Sequence, residues 1–239
     1  DVEMLRDIVG GDVYILEDSA CAFGTFVNGE ACGTLGDFSC WSFDAMKMLV
    51  AGEGGACHFS DINFARKAKE YFYLGLPVSD KSGMDKATQS DRWWEYQLES
   101  PGRRSMFTNI NAAIALPQFS DLQSNFSKRR NIRSEYCNVI DSHNTLDYSR
   151  QDQSNIEYSN YFFTILCDER DGLARYLKDN NVYTTFRYFP LHEIEIFKHY
   201  STDSLDGANQ FSECALNIPI HHNLIDSDIR LICDLLSKW

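Results

Sequence analysis

Stretches of alternating apolar and polar character along the chain predict an α/β protein. Apolar residues spaced three and four apart predict a short helix over 2–9, ended by Gly10-Gly11. Short apolar runs predict strands at 13–16, 38–43, 56–59, 161–166 and 182–188. Helical spacing predicts helices at 62–73, capped by Asp61, at 169–180 and, broken near Pro117, at 112–140.

The order of these elements predicts two domains. A strand–helix–strand unit follows the long helix and a polar stretch over 141–160, so we place the boundary near residue 125. Residues 1–124 then belong to a large domain and residues 125–239 form a small C-terminal α+β domain. We expect the polar loop over 75–92 to be an active-site cover or an interface element, and Lys128, Arg129 and Arg130 to form the solvated face of the long helix.

Two ionisable residues are candidates for chemistry. Asp18 follows the first predicted strand, and open α/β sheets bind ligands at the carboxyl ends of their strands. Lys47 has apolar neighbours on both sides, and desolvation favours the neutral, nucleophilic amine. A nucleophilic lysine with a strand-end aspartate indicates pyridoxal phosphate, which forms a Schiff base with lysine. The two residues alone leave a helix-capping aspartate and a solvated lysine as the alternative.

The whole stretch from residue 17 to 55 decides between these alternatives. After Asp18 come Gly36-Asp37, Ser42-Phe43, Lys47 and Glu53-Gly54-Gly55. This pattern resembles the DegT/StrS family of pyridoxal-phosphate sugar aminotransferases, with its Asp-x-x-(Gln/His), Ser-Phe-x-x-x-Lys and Glu-Gly-Gly motifs. The resemblance implies that Asp18 pairs with the pyridine nitrogen, Ser42 binds the cofactor phosphate and Lys47 carries the cofactor. Cys21 stands at the Gln/His position, and its role as a cofactor contact is open.

Residues 102–113 resemble a second family segment, Gly-Tyr-Asn-Tyr-Arg-Met-x-x-x-x-Ala-Ala. In the family, its Asn reaches across a dimer interface to the phosphate of the neighbouring subunit's cofactor. Counting back from Ala112-Ala113 places Arg104 at the Asn position. An arginine can hold a phosphate through two charge-assisted hydrogen bonds, which implies an obligate homodimer with shared active sites. The alternative is an exposed basic pair formed with Arg103.

The C-terminal half also resembles the family, in its Tyr-x-Pro-Leu-His segment and in its final Leu-x-x-Pro-x-(His) segment. Arg187 alternates with aromatic residues on a predicted strand, so Arg187 and His192 are candidates for binding the substrate. The alternative is a surface arginine and a helix-capping histidine. The family's first segments, a phosphate-binding loop and an aromatic residue that stacks on the ring, have no counterpart before Asp18. We therefore expect a chain without roughly the first third of a family member.

Composition excludes several other classes of protein. The formal net charge of -13 argues against broad binding to nucleic acid or to anionic membranes. No apolar run approaches the roughly 20 residues that cross a bilayer. The eight cysteines contain no Cys-x-x-Cys pair, which indicates free thiols in a reducing cytoplasm rather than disulfides or a metal site. His221-His222 have no second ligand cluster nearby in the sequence, so we expect no metal.

The resemblance implies a fold type I pyridoxal-phosphate-dependent transferase, like aspartate aminotransferase, with part of the large mixed-sheet domain present. It implies transfer of an amino group from an amino acid, most often glutamate, to a keto or aldehyde sugar in amino-sugar biosynthesis. A related dehydratase branch has His where Lys47 stands, so Lys47 favours amino transfer. A binding or regulatory module without activity is the other alternative. A nucleotide-binding dehydrogenase is disfavoured because no Gly-x-Gly-x-x-Gly follows a strand.

Overall fold

The structure, a computed structural model, describes residues 1–77, 91–98, 100–151, 154–200 and 204–239. It divides into two compact units: residues 1–119 with 155–157, and residues 120–154 with 158–239. Most of the polar loop predicted over 75–92 lies outside the described residues.

The helices and strands follow one another in mixed order along the chain. The strands are β1 (Leu16–Asp18), β2 (Phe26–Val27), β3 (Glu30–Ala31), β4 (Phe38–Ser42), β5 (Gly55–Phe59), β6 (Asp147–Tyr148), β7 (Ile156–Glu157), β8 (Phe163–Leu166) and β9 (Ala215–Ile218). The α-helices are α1 (Val2–Val9), α2 (Ile62–Phe72), α3 (Asn109–Ala115), α4 (Leu122–Ile140), α5 (Arg170–Asp179), α6 (Asp206–Cys214) and α7 (Asp226–Lys238). Short 3-10 helices cover Leu116–Asp121, Leu191–Glu193 and Lys198–Tyr200.

A mixed three-stranded sheet with the order β1-β4-β5 forms the centre of the first unit. Strand β4 pairs in parallel with β1 and antiparallel with β5, which places Cys40 directly opposite Cys57. The predicted strands at 38–43 and 56–59 are confirmed. The first strand begins later than predicted, at Leu16, because the N–H of Ile15 donates to the side chain of Asp37 at 2.7 Å. A second, small sheet has the order β3-β2-β7.

Aromatic rings attach helix α2 to the main sheet. The Phe38 ring on β4 lies edge-on to the rings of Phe59 on β5 and Phe64 on α2, with centroids 5.8 and 5.2 Å apart. Such edge-to-face pairs add about 1 kcal/mol each to the burial of their apolar area. Helix α2 begins as predicted, because the Asp61 carboxylate accepts the N–H of Asn63 at 2.7 Å.

The second unit has the larger apolar core. Its antiparallel sheet, in the order β6-β8-β9, packs with α4, α5 and α7 around fully buried side chains that include Phe163, Ile165, Leu173, Leu177 and Leu236. The predicted strand at 161–166 is confirmed at its C-terminal end. The polar stretch predicted over 141–160 contains the two short strands β6 and β7.

The prediction of a strand over 182–188 is wrong. The segment makes only one β-bridge, in which Thr185 and Asn217 exchange two backbone hydrogen bonds of 2.9 and 2.7 Å. The N–H of Arg187 donates instead to the side-chain oxygen of Asn217 at 2.9 Å. A side chain therefore takes the place that the next backbone carbonyl of a ladder would occupy.

The long helical region breaks where Pro117 predicted it to break, at the 3-10 turn between α3 and α4. The expectation that Arg129 lies on a solvated face is wrong, because its residue is only 7% exposed. Its guanidinium donates to the carbonyl oxygens of Asn160, Tyr161 and Ile220 at 3.0, 3.3 and 2.7 Å. Burial lowers the pKa of Arg129 to about 10, so the group stays charged at neutral pH.

Replacing Arg129 tests how much this buried guanidinium stabilises the second unit. Arg129→Met leaves three carbonyl oxygens without their donor, so we expect the free energy of unfolding, measured by urea denaturation, to fall by about 3 kcal/mol. Arg130→Met is the matched control, because Arg130 makes an exposed hydrogen bond to Ser127 on its own helix. We expect it to change stability by less than about 0.5 kcal/mol. Equal losses in the two variants would contradict the structural role of Arg129.

Candidate functional site

Lys47 lies in the turn that follows strand β4, and its backbone is held on both sides. Its N–H donates to the carbonyl oxygen of Asp44 at 3.0 Å. The following residues Leu49 and Ala51 are buried to 1% and 0% exposure and pack with Ala115, Phe23 and Phe43. The lysine side chain itself is half-buried. The backbone on either side of Lys47 is thus fixed directly after β4.

The loop around Lys47 is closed by backbone hydrogen bonds. The N–H of Ala51 donates to the Phe43 carbonyl oxygen at 2.8 Å, and the N–H of Phe43 donates to the Gly54 carbonyl oxygen at 2.9 Å. Gly54 has a φ of 133°, and a Cβ there would lie 2.5 Å from the Phe107 ring. A side chain at this position would open the loop, which explains the first glycine of the Glu-Gly-Gly motif.

Two side-chain amides attach this loop to the region around α3. Gln118 accepts the N–H of Val50 at 3.1 Å and donates to the Val50 carbonyl oxygen at 2.6 Å. Asn111 donates to the carbonyl oxygen of Ala51 at 2.7 Å. Sequence reasoning missed both residues, because an isolated Asn or Gln in a helical region carries no pattern that signals a long-range contact.

The structure brings two of the predicted site residues into direct contact. The Lys47 Nζ donates to the Cys21 Sγ at 3.1 Å, and both side chains are half-buried. Ser42 is the last residue of β4, and its Oγ accepts the N–H of Asp44 at 3.3 Å. The hydroxyl therefore lies at the start of the turn that carries Lys47.

Asp18 is the last residue of β1, at the carboxyl end of the strand as predicted. Its residue is exposed, although the preceding run predicts a core strand. One carboxylate oxygen accepts the N–H of Ala20 at 3.1 Å and lies 4.0 Å from the Cys40 Sγ. Burial, with a contribution from the Asp18 charge, raises the pKa of the Cys40 thiol.

The neighbouring acid Glu17 has a structural role that the sequence did not reveal. Its carboxylate accepts the N–H groups of Gly33, Leu35 and Gly36 at 2.8, 2.8 and 2.6 Å. A Cβ at Gly36 would lie 2.8 Å from the Ile15 carbonyl oxygen, so only glycine fits there. The two glycines at 33 and 36, which lie 16 and 19 residues after Glu17, are the sequence signal that could have indicated this turn.

Asp37, part of the Gly-Asp motif, is also a structural residue. Its carboxylate accepts hydrogen bonds from Arg6 at 2.5 Å and from the N–H of Ile15 at 2.7 Å. The Arg6 hydrogen bond, followed by the one from Ile15, holds the pKa of Asp37 below its usual value. These contacts connect α1 to the main sheet.

Arg104 lies beyond the C-terminal end of α2 and forms a β-bridge with Tyr73. Its residue is exposed. The adjacent Arg103 is also exposed and donates to the Ser105 hydroxyl at 2.8 Å.

Arg187 and His192 belong to the second unit. Arg187 donates to the phenol oxygen of Tyr161 at 2.9 Å. The His192 Nε2 is 2.6 Å from the side-chain oxygen of Asn209, and the histidine side chain is 14% exposed. Each of the two predicted substrate-binding residues is thus oriented by a hydrogen bond within its own unit.

Among the residues that the structure describes, no three His, Cys, Asp or Glu side chains lie close enough to hold a metal ion, and no helix is long and apolar enough to cross a bilayer. All eight cysteines are free thiols. A cavity of about 440 Å³ lies against β4, β5 and α2, and its largely apolar lining includes Phe59, Ala68, Phe72, Met106 and Phe107 but neither Lys47 nor Asp18.

Several sequence relatives of the chain are named as enzymes of amino-sugar synthesis. The chain is 34% identical over 228 residues to a dTDP-4-dehydro-2,3,6-trideoxy-D-glucose 4-aminotransferase of Saccharopolyspora spinosa. This match covers 95% of the chain and 58% of that relative. The chain is also 27% identical over 247 residues to GDP-perosamine synthase of Vibrio cholerae. This second match covers 100% of the chain and 63% of that protein. The chain therefore spans about six tenths of the length of these relatives.

Solved structures give the same fold. The chain superposes on the aminotransferase TlmJ from Streptoalloteichus hindustanus with a TM-score of 0.85 and 35% identity, over 99% of the chain and 60% of that structure. The sugar aminotransferase CalS13 from Micromonospora echinospora matches over 100% of the chain and 64% of its own, with a TM-score of 0.87 and 20% identity. These matches confirm the predicted fold type I architecture.

Residues 1–237 match the profile of a single family over nearly the full chain. The motif residues that carry the resemblance follow one another along the two strands and the turn that hold Asp18, Ser42 and Lys47. The chain belongs to the DegT/DnrJ/EryC1/StrS aminotransferase family.

Proposed function

We propose that the protein is a pyridoxal-phosphate-dependent aminotransferase that moves an amino group from an amino acid, with glutamate as our candidate donor, to the keto or aldehyde carbon of a sugar. The family is dependent on pyridoxal phosphate, and both named relatives act in amino-sugar synthesis. The observation that carries the proposal is the half-buried Lys47 amine, held by a closed loop directly after Ser42.

The donor set around this turn fits the groups of pyridoxal phosphate. Lys47 supplies an amine for the aldehyde, and Asp18 supplies a carboxylate for the ring nitrogen. Ser42 supplies a hydroxyl for the phosphate, and Cys21 lies against the amine. When bound, the cofactor supplies an electron sink that stabilises negative charge at the α-carbon of the amino donor.

Lys47 then has two tasks. Its amine would hold the cofactor, and in the first half of the reaction the same nitrogen would take the proton from the α-carbon of the amino donor. In the second half of the reaction the same nitrogen delivers a proton to the sugar carbon that receives the amine. Half-burial limits access of water to the Nζ, and the Cys21 contact limits the directions in which it can point.

We propose Arg187 and His192 as substrate-binding residues. The relatives' names place their substrates among dTDP- and GDP-linked sugars, so we propose a nucleotide-linked sugar here as well. The Tyr161 hydrogen bond leaves Arg187 with further N–H donors for a phosphate, and the Asn209 hydrogen bond leaves the Nδ1 of His192 to accept from a hydroxyl. The product would be an amino sugar for a surface polysaccharide or a secondary metabolite.

We also propose that the enzyme is a homodimer in which Arg104 reaches the cofactor phosphate of the neighbouring subunit. Its exposure and its place in the family segment support this role. The division into a cofactor domain ending near residue 124 and a small C-terminal domain, and the cytoplasmic location, remain predictions from the sequence.

Borohydride reduction tests the role of Lys47. Reduction in the presence of pyridoxal phosphate is expected to fix a pyridoxyl group on Lys47, because borohydride traps the bond between its amine and the aldehyde. Trypsin then fails to cleave after Lys47, and mass spectrometry finds peptide 7–66 with the added cofactor mass in place of peptide 7–47. The exposed Lys67 on α2 is the internal control and should stay unmodified. In a chain of full family length, a modification elsewhere, or none, would favour a binding module without activity.

Lys47→Ala separates chemistry from folding. We expect turnover of glutamate with keto sugars to fall by at least about a hundredfold, since both the proton carrier and the covalent anchor are lost. Lys67→Ala, on the exposed face of α2, should retain full turnover. Measurable wild-type-like turnover in Lys47→Ala would contradict the assignment.

Arg104→Ala tests the proposed contact across the dimer. Removing a charge-assisted hydrogen bond to phosphate is expected to raise the dissociation constant for pyridoxal phosphate about tenfold, measured by absorbance titration. Arg103→Ala is the matched control, because Arg103 already donates to Ser105. An unchanged dissociation constant in Arg104→Ala would remove Arg104 from the site.

A further inference from the structure

The contact between Lys47 and Cys21 allows chemistry other than cofactor binding. Nζ and Sγ are 3.1 Å apart, which leaves no room for another atom between them. Both side chains are half-buried, so a small oxidant can reach the sulfur while bulk water is limited. Thiols beside a lysine ammonium belong to the reactive class of protein cysteines.

Burial disfavours the thiolate form of the other thiols in the same stretch. Burial raises the pKa of the Cys32 thiol, with a further contribution from Glu17, and raises the pKa of the Cys57 thiol next to Cys40. Burial, followed by the Asp18 charge, likewise raises the pKa of the Cys40 thiol. A raised pKa leaves less of the thiolate that attacks a peroxide. Among the thiols of this stretch, Cys21 is the one whose sulfur contacts the Lys47 amine, so a sulfenic acid formed there can be captured by nitrogen.

We propose that Cys21 and Lys47 form a reversible sulfur–nitrogen crosslink when the protein meets a hydroperoxide. The pair would then act as a modification site that disables the amine under oxidising conditions. The loss of activity rests on the proposed aminotransferase function, whereas formation of the crosslink depends only on the two side chains.

The crosslink forms in two balanced steps. The Cys21 thiolate attacks one peroxide oxygen, the O–O bond breaks and hydroxide leaves, so that sulfur is oxidised to the sulfenic acid and the peroxide is reduced. That hydroxide takes a proton from the Lys47 ammonium and becomes the first water. The neutral Lys47 amine then attacks the sulfur, the S–O bond breaks, and the departing hydroxide takes a proton from nitrogen as the second water. The sum is one peroxide consumed, two waters released and two hydrogens lost from the protein.

Thiols reverse the crosslink. A small thiol attacks the Cys21 sulfur, the S–N bond breaks, and Lys47 recovers its amine with the proton of the thiol. A second thiol then releases Cys21 from the mixed disulfide. Since the same nitrogen holds the cofactor in the proposed function, crosslinking and cofactor attachment exclude each other.

Tryptic mapping of peroxide-treated protein tests the crosslink. Arg6, Lys47 and Arg66 are the consecutive cleavage sites, so Cys21 and Lys47 fall in peptide 7–47 of the reduced protein. A sulfur–nitrogen bond blocks cleavage after Lys47 and yields peptide 7–66 with two hydrogens fewer. We expect most of peptide 7–47 to be lost to this product after treatment with hydrogen peroxide and digestion without reductant, and to return after treatment with dithiothreitol.

Disulfides are distinguished by the same digest. A Cys21–Cys40 or Cys40–Cys57 disulfide also removes two hydrogens, but Lys47 remains a cleavage site. Cys32→Ser is the matched control, because Cys32 lies in the same peptide, and it should form peptide 7–66 as the wild type does. Cys21→Ser should not form it. Normal cleavage after Lys47 in oxidised wild type would overturn the proposal, as would a 7–66 product that carries an added oxygen.

Loading with pyridoxal phosphate before the peroxide separates the two proposals. If Lys47 holds the cofactor, loading suppresses the crosslinked peptide. If the crosslinked peptide forms equally with and without pyridoxal phosphate, the cofactor role of Lys47 is contradicted and the crosslink is supported.

Discussion

The burial of Leu49 and Ala51 is the constraint on which the candidate site depends. These two residues anchor the C-terminal side of the lysine turn in the apolar cluster with Ala115, while Phe43 closes the turn through backbone hydrogen bonds. The amides of Gln118 and Asn111 then satisfy backbone groups that burial would otherwise leave unpaired. A flexible side chain such as lysine can be directed only if its backbone is fixed in this way.

Three carboxylates on or next to strands β1 and β4 differ in how many hydrogen bonds they make. Glu17 accepts three backbone N–H groups, and Asp37 accepts Arg6 and Ile15. Both are used to shape the loops around β1 and β4. Asp18 makes one local hydrogen bond, to Ala20, and its residue stays exposed. Asp18, which makes the fewest hydrogen bonds of the three acids, is the one that the family motif assigns to the cofactor.

Much of this arrangement could be predicted because its signals are local. The helix start at Asp61, the break at Pro117 and the strands around the lysine depend on nearby residues, and the aspartate–lysine motif has a fixed spacing. Arg129 could not be assigned, since its burial depends on carbonyl groups 31 and 91 residues away in the chain. The failed strand at 182–188 has a similar cause, because the Asn217 side chain competes for the N–H of Arg187. Periodicity reports which face is apolar and cannot report a distant polar partner.

The order of the main sheet has a consequence for handling the protein. In the part of the chain that the structure describes, β1 and β5 each pair on one side only, and Tyr14 and Leu16 beside the β1 edge are 66% and 67% exposed. Unpaired backbone groups next to exposed apolar side chains form a template for another strand. This stretch of chain, prepared by itself at high concentration, will tend to associate edge to edge, and dilution or an added strand that covers β1 will oppose that association.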